Sequence, residues 1–201
     1  DLKNGHDILK SEFPKDIDLV IHLAGLSGVR DSLDKPTDYW KTNVIGTQRL
    51  FENCRDTRIL YASSSTAYEP WKNPYAMSKY SMEQLDHNNA VGMRFTTVYG
   101  PGARENMLIP KILRNDIQYL NINHIRDFIH VNDIVNAVDI MMNNTFRGVV
   151  DVGTGTSNKL VDIADYFKID YKSVIGGETE RLDNTADTSI LNKFGWRAKI
   201  N

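Results

Sequence analysis

Little in this sequence offers redox or bulk electrostatic chemistry. The one cysteine, Cys54, cannot form an internal disulfide, so cysteine usage gives no sign of an oxidising compartment and a cytoplasmic setting is expected. No apolar run approaches the ~18 residues of a membrane-spanning helix. No charged-then-apolar leader opens the chain, so neither a membrane span nor a signal peptide is expected. Excess charge is also missing: 24 Lys+Arg against 26 Asp+Glu give a formal net charge of −2, without any Lys/Arg run. That excludes the electrostatic footprint of a nucleic-acid or anionic-membrane binder, so any phosphate must be held locally by a few side chains. Internal repeats and low-complexity segments are absent, and no metal site is expected.

What is present is globular material. With 41% hydrophobic and 25% charged residues over 201 positions, the chain can build one good core and a smaller appended lobe. Leu19-Val20-Ile21-His22-Leu23-Ala24, ending at Gly25, reads as a parallel strand buried on both faces. After Pro36-Thr37, the residues Trp40, Val44, Thr47 and Phe51 recur at helical spacing as far as Asn53, which predicts a crossover helix. A second strand is expected over 59–62, a helix over 75–86 behind Pro74, and a third strand over 91–95 closed by Tyr99-Gly100-Pro101-Gly102. Beyond it come a helical stretch over 107–114, extended segments over 118–129 around an Asn-rich turn, a helix over 133–142 and a strand over 149–152. A last amphipathic helix carries Leu160, Ile163, Ala164 and Phe167 on one face. This alternation implies an α/β fold, a doubly wound parallel sheet with right-handed crossovers and a small C-terminal substrate lobe.

The sharpest chemical signal is Tyr75-Ala76-Met77-Ser78-Lys79. Residues four apart share a helix face, so Lys79 reaches the Tyr75 hydroxyl. A phenol with a pKa near 10 is a poor base at neutral pH, but a neighbouring cation favours the phenolate, which can then take a proton from a substrate hydroxyl. Alone, the five-residue pattern is equally a solvated helix face. Its context is Tyr61-Ala62-Ser63-Ser64-Ser65-Thr66-Ala67-Tyr68, a hydroxyl-rich turn at the C-terminal end of a buried strand, where open α/β sheets bind ligands. There Ser64 is placed to hydrogen-bond the reacting substrate oxygen as Tyr75 moves its proton.

Together with His22-Leu23-Ala24-Gly25, with Asn43 in Thr42-Asn43-Val44-Ile45-Gly46-Thr47, with Arg94-Phe95-Thr96-Thr97-Val98-Tyr99-Gly100-Pro101, with Arg126-Asp127-Phe128-Ile129-His130-Val131-Asn132-Asp133 and with Arg181-Leu182-Asp183, these motifs resemble the extended short-chain dehydrogenase/reductase family in its NAD-dependent epimerase/dehydratase branch. The resemblance runs through nearly the whole chain. It implies a Rossmann-like fold and catalysis by Ser64, Tyr75 and Lys79. It implies NAD held by Asp1, Leu2, Leu23, Ala24, Gly25, Asn43, Tyr75 and Lys79, and a nucleotide-sugar substrate met by Ser27, Arg30, Ser65, Thr97, Arg104, Arg126 and Arg181. The two last arginines would clamp the substrate pyrophosphate with planar multi-donor guanidinium groups. A homodimer is the expected assembly, with no nucleic acid and no membrane as partner.

Dehydratases and decarboxylases of the family place an acid between the Ser/Thr and the Tyr of the serine turn; here those positions are Ser65 and Thr66. Without a second acid, the resemblance points to C4 epimerisation of a UDP-sugar through a transient 4-keto intermediate. Two segments, Ser27-Gly28-Val29-Arg30-Asp31-Ser32 and Thr97-Val98-Tyr99-Gly100-Pro101-Gly102-Ala103-Arg104, resemble the UDP-glucuronate 4-epimerase group, so Arg30 and Arg104 are candidates to meet a carboxylate or phosphate. An NADP-dependent keto-sugar-nucleotide reductase and a non-catalytic or truncated nucleotide-binding relative are the alternatives. The family's opening strand and glycine-rich turn are missing from these residues, and Gly153-Thr154-Gly155, which lacks the third glycine, does not replace them. Residues upstream of Asp1 are therefore expected. The domain division expected is 1–100 for a partial dinucleotide-binding domain and 101–201 mainly for the substrate lobe, with 127–155 returning to the first.

Overall fold

The structure, a computed structural model, describes residues 2–200, except for the side chain of Leu2. The cofactor contacts expected of Asp1 and of the Leu2 side chain lie outside the described residues. In chain order the elements are β1 (Leu19–His22), α1 (Val29–Asp34), α2 (Pro36–Tyr39), a π-helical turn (Trp40–Ile45), α3 (Gly46–Asn53), β2 (Arg58–Ser64), α4 (Pro74–Glu83), β3 (Ala90–Phe95), β4 (Thr97–Tyr99) and α5 (Leu108–Leu113). Then follow β5 (Tyr119–Asn121), β6 (Ile125–Arg126), β7 (Phe128–His130), α6 (Val131–Met142), β8 (Gly148–Val152), β9 (Asn158–Lys159), α7 (Leu160–Tyr166), β10 (Lys172–Val174) and α8 (Ser189–Lys193). They form two compact units, Asp1–Arg94 with Val138–Val150, and Phe95–Ala137 with Asp151–Asn201. The returning segment is narrower at both ends than 127–155.

The first unit is built on a sheet of order β1-β2-β3-β8, with β1 parallel to β2 in the register Leu19↔Arg58 to His22↔Tyr61. β2 is the inner strand whose sequence Arg-Ile-Leu-Tyr-Ala-Ser-Ser has no polar alternation, because both of its faces are covered: Ile59 is 0% and Leu60 is 1% exposed. Leu50 and Phe51 of α3, Met82 of α4, and Tyr61 and Cys54 close the core on one side of it. β1 departs from the expectation of a strand buried on both faces. It ends at His22, Ile21 is 45% exposed and Leu23 is 65% exposed. Within the described sheet β1 is the outer strand, paired to β2 on one side alone, so alternate side chains face away from the core.

The crossover helix also differs from a single regular run. Gly28, at φ 113°, turns the chain into the short α1, and Pro36 at the first position of α2 restarts it after Lys35. From Trp40 to Ile45 the helix winds as a π-turn before α3 resumes. Such insertions re-aim side chains, and this one carries Asn43.

In the second unit β4 runs parallel to β7, β5 parallel to β10, and β6 antiparallel to β9. Leu160 and Ala164 of α7 pack with Leu120 of β5, while Ile163 lies partly buried against them. Phe167, expected on that same face, is 46% exposed. Phe167 is the C-cap of α7, still in helical conformation with its N–H bonded to the Ile163 carbonyl, and its ring meets the Tyr166 ring edge-on at 5.1 Å. The buried Asp127 carboxylate ties the loops of this unit, accepting from the backbone N–H groups of Thr154, Gly155 and Ala186 and from the Thr154 hydroxyl. The Thr154 and Gly155 N–H groups are thus turned onto an internal carboxylate.

Candidate active site

Helix α4 begins where Asn73 accepts a hydrogen bond from the Ala76 N–H at 2.7 Å and Pro74 supplies a preset first turn. That start places Tyr75 in the first turn and Lys79 one turn later. Lys79 is 5% exposed, its ammonium donates to the Ala62 carbonyl at 2.6 Å, and it lies 6.0 Å from the centre of the Tyr75 ring. Burial lowers the Lys79 pKa to about 8, with the Glu83 charge pulling the other way. At neutral pH the group still carries its proton, close to the point of losing it. The Tyr75 ring is steadied by an edge contact with Tyr39 at 6.0 Å, and the Tyr39 hydroxyl donates to the Ser27 carbonyl at 2.9 Å.

The serine turn leaves the C-terminal end of β2. Ser64 caps it, its hydroxyl oxygen accepting from the Thr66 N–H at 3.2 Å and from the Thr66 hydroxyl at 3.0 Å. The short helical turn Ser65–Tyr68, with Ser65 buried, packs against α4. One unit therefore brings together Ser64, Ser65, Tyr75 and Lys79 from two chain segments that leave and approach the same strand.

Beyond β1, the residues Leu23, Ala24 and Gly25 are exposed. A Cβ on Gly25 would stand 3.0 Å from Asn43 Oδ1 and 3.5 Å from Lys79 Nζ, so the absence of a side chain here lets the Asn43 amide and the Lys79 ammonium lie close against the backbone. Asn43 is fully buried, and its amide is spent inside the protein: Oδ1 accepts from the Leu26 N–H at 2.7 Å, and Nδ2 donates to the Leu26 carbonyl and the Ser78 hydroxyl at 3.0 and 2.8 Å. Ser78 in turn donates to the Tyr75 carbonyl at 2.8 Å. Asn43 thus couples the Gly25–Leu26 segment to α4. Ser78 and Tyr39 were not singled out from sequence; Ser78 lies inside the Tyr-x-x-x-Lys motif itself, whereas nothing local flags Tyr39. Behind β1, His22 Nε2 shares a 2.9 Å hydrogen bond with Thr47, and burial first, then the Lys79 charge, lower its pKa to about 4. Arg30, at the start of α1, is exposed.

The remaining expected substrate residues belong to the second unit. Thr97 in β4 accepts from the Asn184 amide at 3.0 Å, and Arg104 is exposed beside Met107. Arg126 is held by the Ile125 and Leu182 carbonyls, each at 2.8 Å, by His124 Nδ1 at 2.9 Å and by Glu180 at 3.6 Å. Burial lowers its pKa, Glu180 and Asp183 oppose this, and the Arg181 charge adds to the lowering. Among the described residues no group of three or more His, Cys, Asp or Glu is placed to hold a metal, and no helix is long and apolar enough to cross a membrane.

An α/β sheet whose strand end carries a serine turn beside a Tyr-x-x-x-Lys helix defines a class of nucleotide-cofactor enzymes acting on hydroxyl and carbonyl groups. The sequence profile of the NAD dependent epimerase/dehydratase family matches residues 1–153, and the chain belongs to that family. It is 32% identical over 168 residues to the uncharacterised protein MJ1055 of Methanocaldococcus jannaschii, covering 69% of this chain and 52% of that protein. It is 26% identical over 263 aligned positions to the bifunctional UDP-glucose 4-epimerase and UDP-xylose 4-epimerase 1 of Pisum sativum, covering 99% of this chain and 74% of the pea protein. Among solved structures, MoeE5 in complex with UDP-glucose and NAD superposes with a TM-score of 0.82 at 28% identity, covering 93% of this chain and 76% of that one. The chain spans about half the length of MJ1055 and of Protein CapI of Staphylococcus aureus.

Proposed function

We propose that the whole protein is an NAD-dependent sugar-nucleotide epimerase that inverts C4 of a UDP-sugar through a 4-keto intermediate. The observation that carries this reading is the meeting of the buried Lys79 ammonium with the Tyr75 ring, with the Ala62 carbonyl two residues before Ser64 opens the serine turn, and with Gly25. NAD, when bound, supplies the hydride acceptor and returns the hydride.

Tyr75 moves the proton of the sugar 4-hydroxyl, Lys79 favours the anionic phenol and donates to the ribose, and Ser64 turns its hydroxyl onto the same sugar oxygen. Ser65 and Thr66 stand where an eliminating enzyme would place an acid, which favours returning the keto sugar rather than dehydrating it. Arg126 and Arg181 are proposed to hold the diphosphate, and Ser27, Arg30, Thr97 and Arg104 to meet the sugar. A uronic acid is proposed as the sugar because exposed guanidinium groups such as Arg30 and Arg104 suit a carboxylate, and MoeE5 forms complexes with both UDP-glucose and UDP-glucuronic acid. The test is Tyr75→Phe: turnover of UDP-sugars should be abolished while UDP-sugar affinity stays nearly unchanged, because the hydroxyl acts on the proton in flight. Activity within tenfold of the parent would overturn the assignment, and a stoichiometric change in absorbance at 340 nm would replace the epimerase by a reductase.

A further inference from the structure

The helix face that carries Tyr75 and Lys79 continues one turn further to Glu83, and nothing in the reaction above uses it. The Glu83 side chain is 1% exposed. Its carboxylate receives both Nε of Arg94 at 2.8 Å and Nη2 at 2.6 Å, and also accepts from the Ser63 hydroxyl. The Arg94 guanidinium lies 4.1 Å from the centre of the Tyr68 ring, at the end of the serine turn. Burial opposes the charge on Arg94, but the Glu83 hydrogen bonds and charge outweigh it and raise its pKa. One buried node therefore joins α4, β3, the end of β2 and the turn that follows.

Its position matters more than its strength. Ser63, gripped by Glu83, sits between Ala62, whose carbonyl receives Lys79, and Ser64, whose hydroxyl caps the turn. Successive turns of α4 thus hold successive residues of β2. A buried carboxylate–guanidinium pair loses about as much on desolvation as it regains in attraction, so apolar packing would serve stability as well. What the pair adds is a fixed fork geometry and a compensated charge beside the lysine. We propose that Glu83 and Arg94 are positioning residues for Tyr75 and Lys79, registering α4 against the Ser63–Ser64 turn and setting the local field in which Lys79 carries its proton. The groups facing Lys79 are Glu83 and Tyr75 from α4 and His22 from β1. The catalytic reading enters solely through what the positioned pair is for.

The test is an NMR titration of the Lys79 ζ-nitrogen in the ¹⁵N-lysine-labelled full chain, assigned with Lys79→Arg. Glu83→Gln leaves the Arg94 charge uncompensated and should lower the Lys79 midpoint by about one pH unit. Arg94→Gln leaves the carboxylate uncompensated and should raise it by a similar amount, and the double variant should fall between the two. Unchanged midpoints, or shifts of both single variants in the same direction, overturn the proposal; should Glu83→Gln not fold, the direction of the Arg94→Gln shift decides. Turnover of UDP-sugars by the same proteins separates the two readings. Opposite midpoint shifts in an inactive parent leave the node standing and remove the epimerase, whereas an active parent with unmoved midpoints does the reverse.

Discussion

Lys79 is a cation the fold would be more stable without. Its pKa falls from 10.5 to about 8 on burial, and at about 1.4 kcal/mol per unit the charged form is disfavoured by roughly 3 kcal/mol in the native state. Lys79→Met keeps the length and apolar stem of the side chain, removes that charge and gives up the hydrogen bond to the Ala62 carbonyl, worth about 1 kcal/mol. The variant should therefore be more stable than the parent by about 2 kcal/mol at pH 7, a rise of about 4–8 °C in Tm for a chain of this size. The gain should depend on pH in a specific way. The unfolded chain keeps the ζ-proton up to about 10.5 while the native protein releases it near 8, so between these values the unfolded state binds more protons and parent stability rises with pH. The advantage of the variant is full below pH 8, reaches zero near pH ~9.5, and by pH ~10.5 gives way to a deficit of about 1 kcal/mol, the lost hydrogen bond. Urea midpoints of both proteins at pH 7, 9 and 10.5 provide the assay. A variant that is less stable at pH 7, or one whose difference from the parent is the same at pH 7 and 10.5, would refute the reasoning. The variant should have lost turnover, the usual exchange where a strained site is retained for chemistry.

His22 supplies the acid counterpart: its folded pKa, about 4, lies below the ordinary 6.5, so the unfolded state takes up the extra proton first and stability falls as pH drops from 6.5 to 4, by roughly 3 kcal/mol in all. In His22→Gln that part of the acid slope should disappear, as read from the difference between the two proteins' urea midpoints at pH 4.5 and 7. Gly153→Ala would place a Cβ 2.5 Å from Asp127 Oδ2, 2.6 Å from Ala186 Cβ and 2.7 Å from Thr96 Cγ2, and should cost about 2 kcal/mol by overpacking. Thermal unfolding of that variant at the parent's Tm would show the close approach at Gly153 to be unimportant.

The elements that carry the candidate site were legible in local patterns because those patterns are local in cause. Pro74 and the four-residue spacing of Tyr75 and Lys79 specify a helix with both on one face, and the apolar run over 59–62 specifies an inner strand with its serine turn at the end, whatever the rest of the chain does. Family membership followed from such short motifs in order. Three things needed the tertiary structure. The exposure of Ile21 and Leu23 depends on which strand lies beside β1, and a strand's own sequence does not contain its neighbours. The turning of Asn43 inward onto Leu26 and Ser78 depends on a π-turn, set by packing against α4 rather than by any propensity in Trp40–Ile45. The Glu83–Arg94–Ser63 node joins residues up to 31 positions apart. Each of the three is unremarkable where it stands in the chain, and what gives them a shared role is burial: removed from water, a carboxylate and a guanidinium must find one another, and the place where they meet fixes the helix that carries Tyr75 and Lys79.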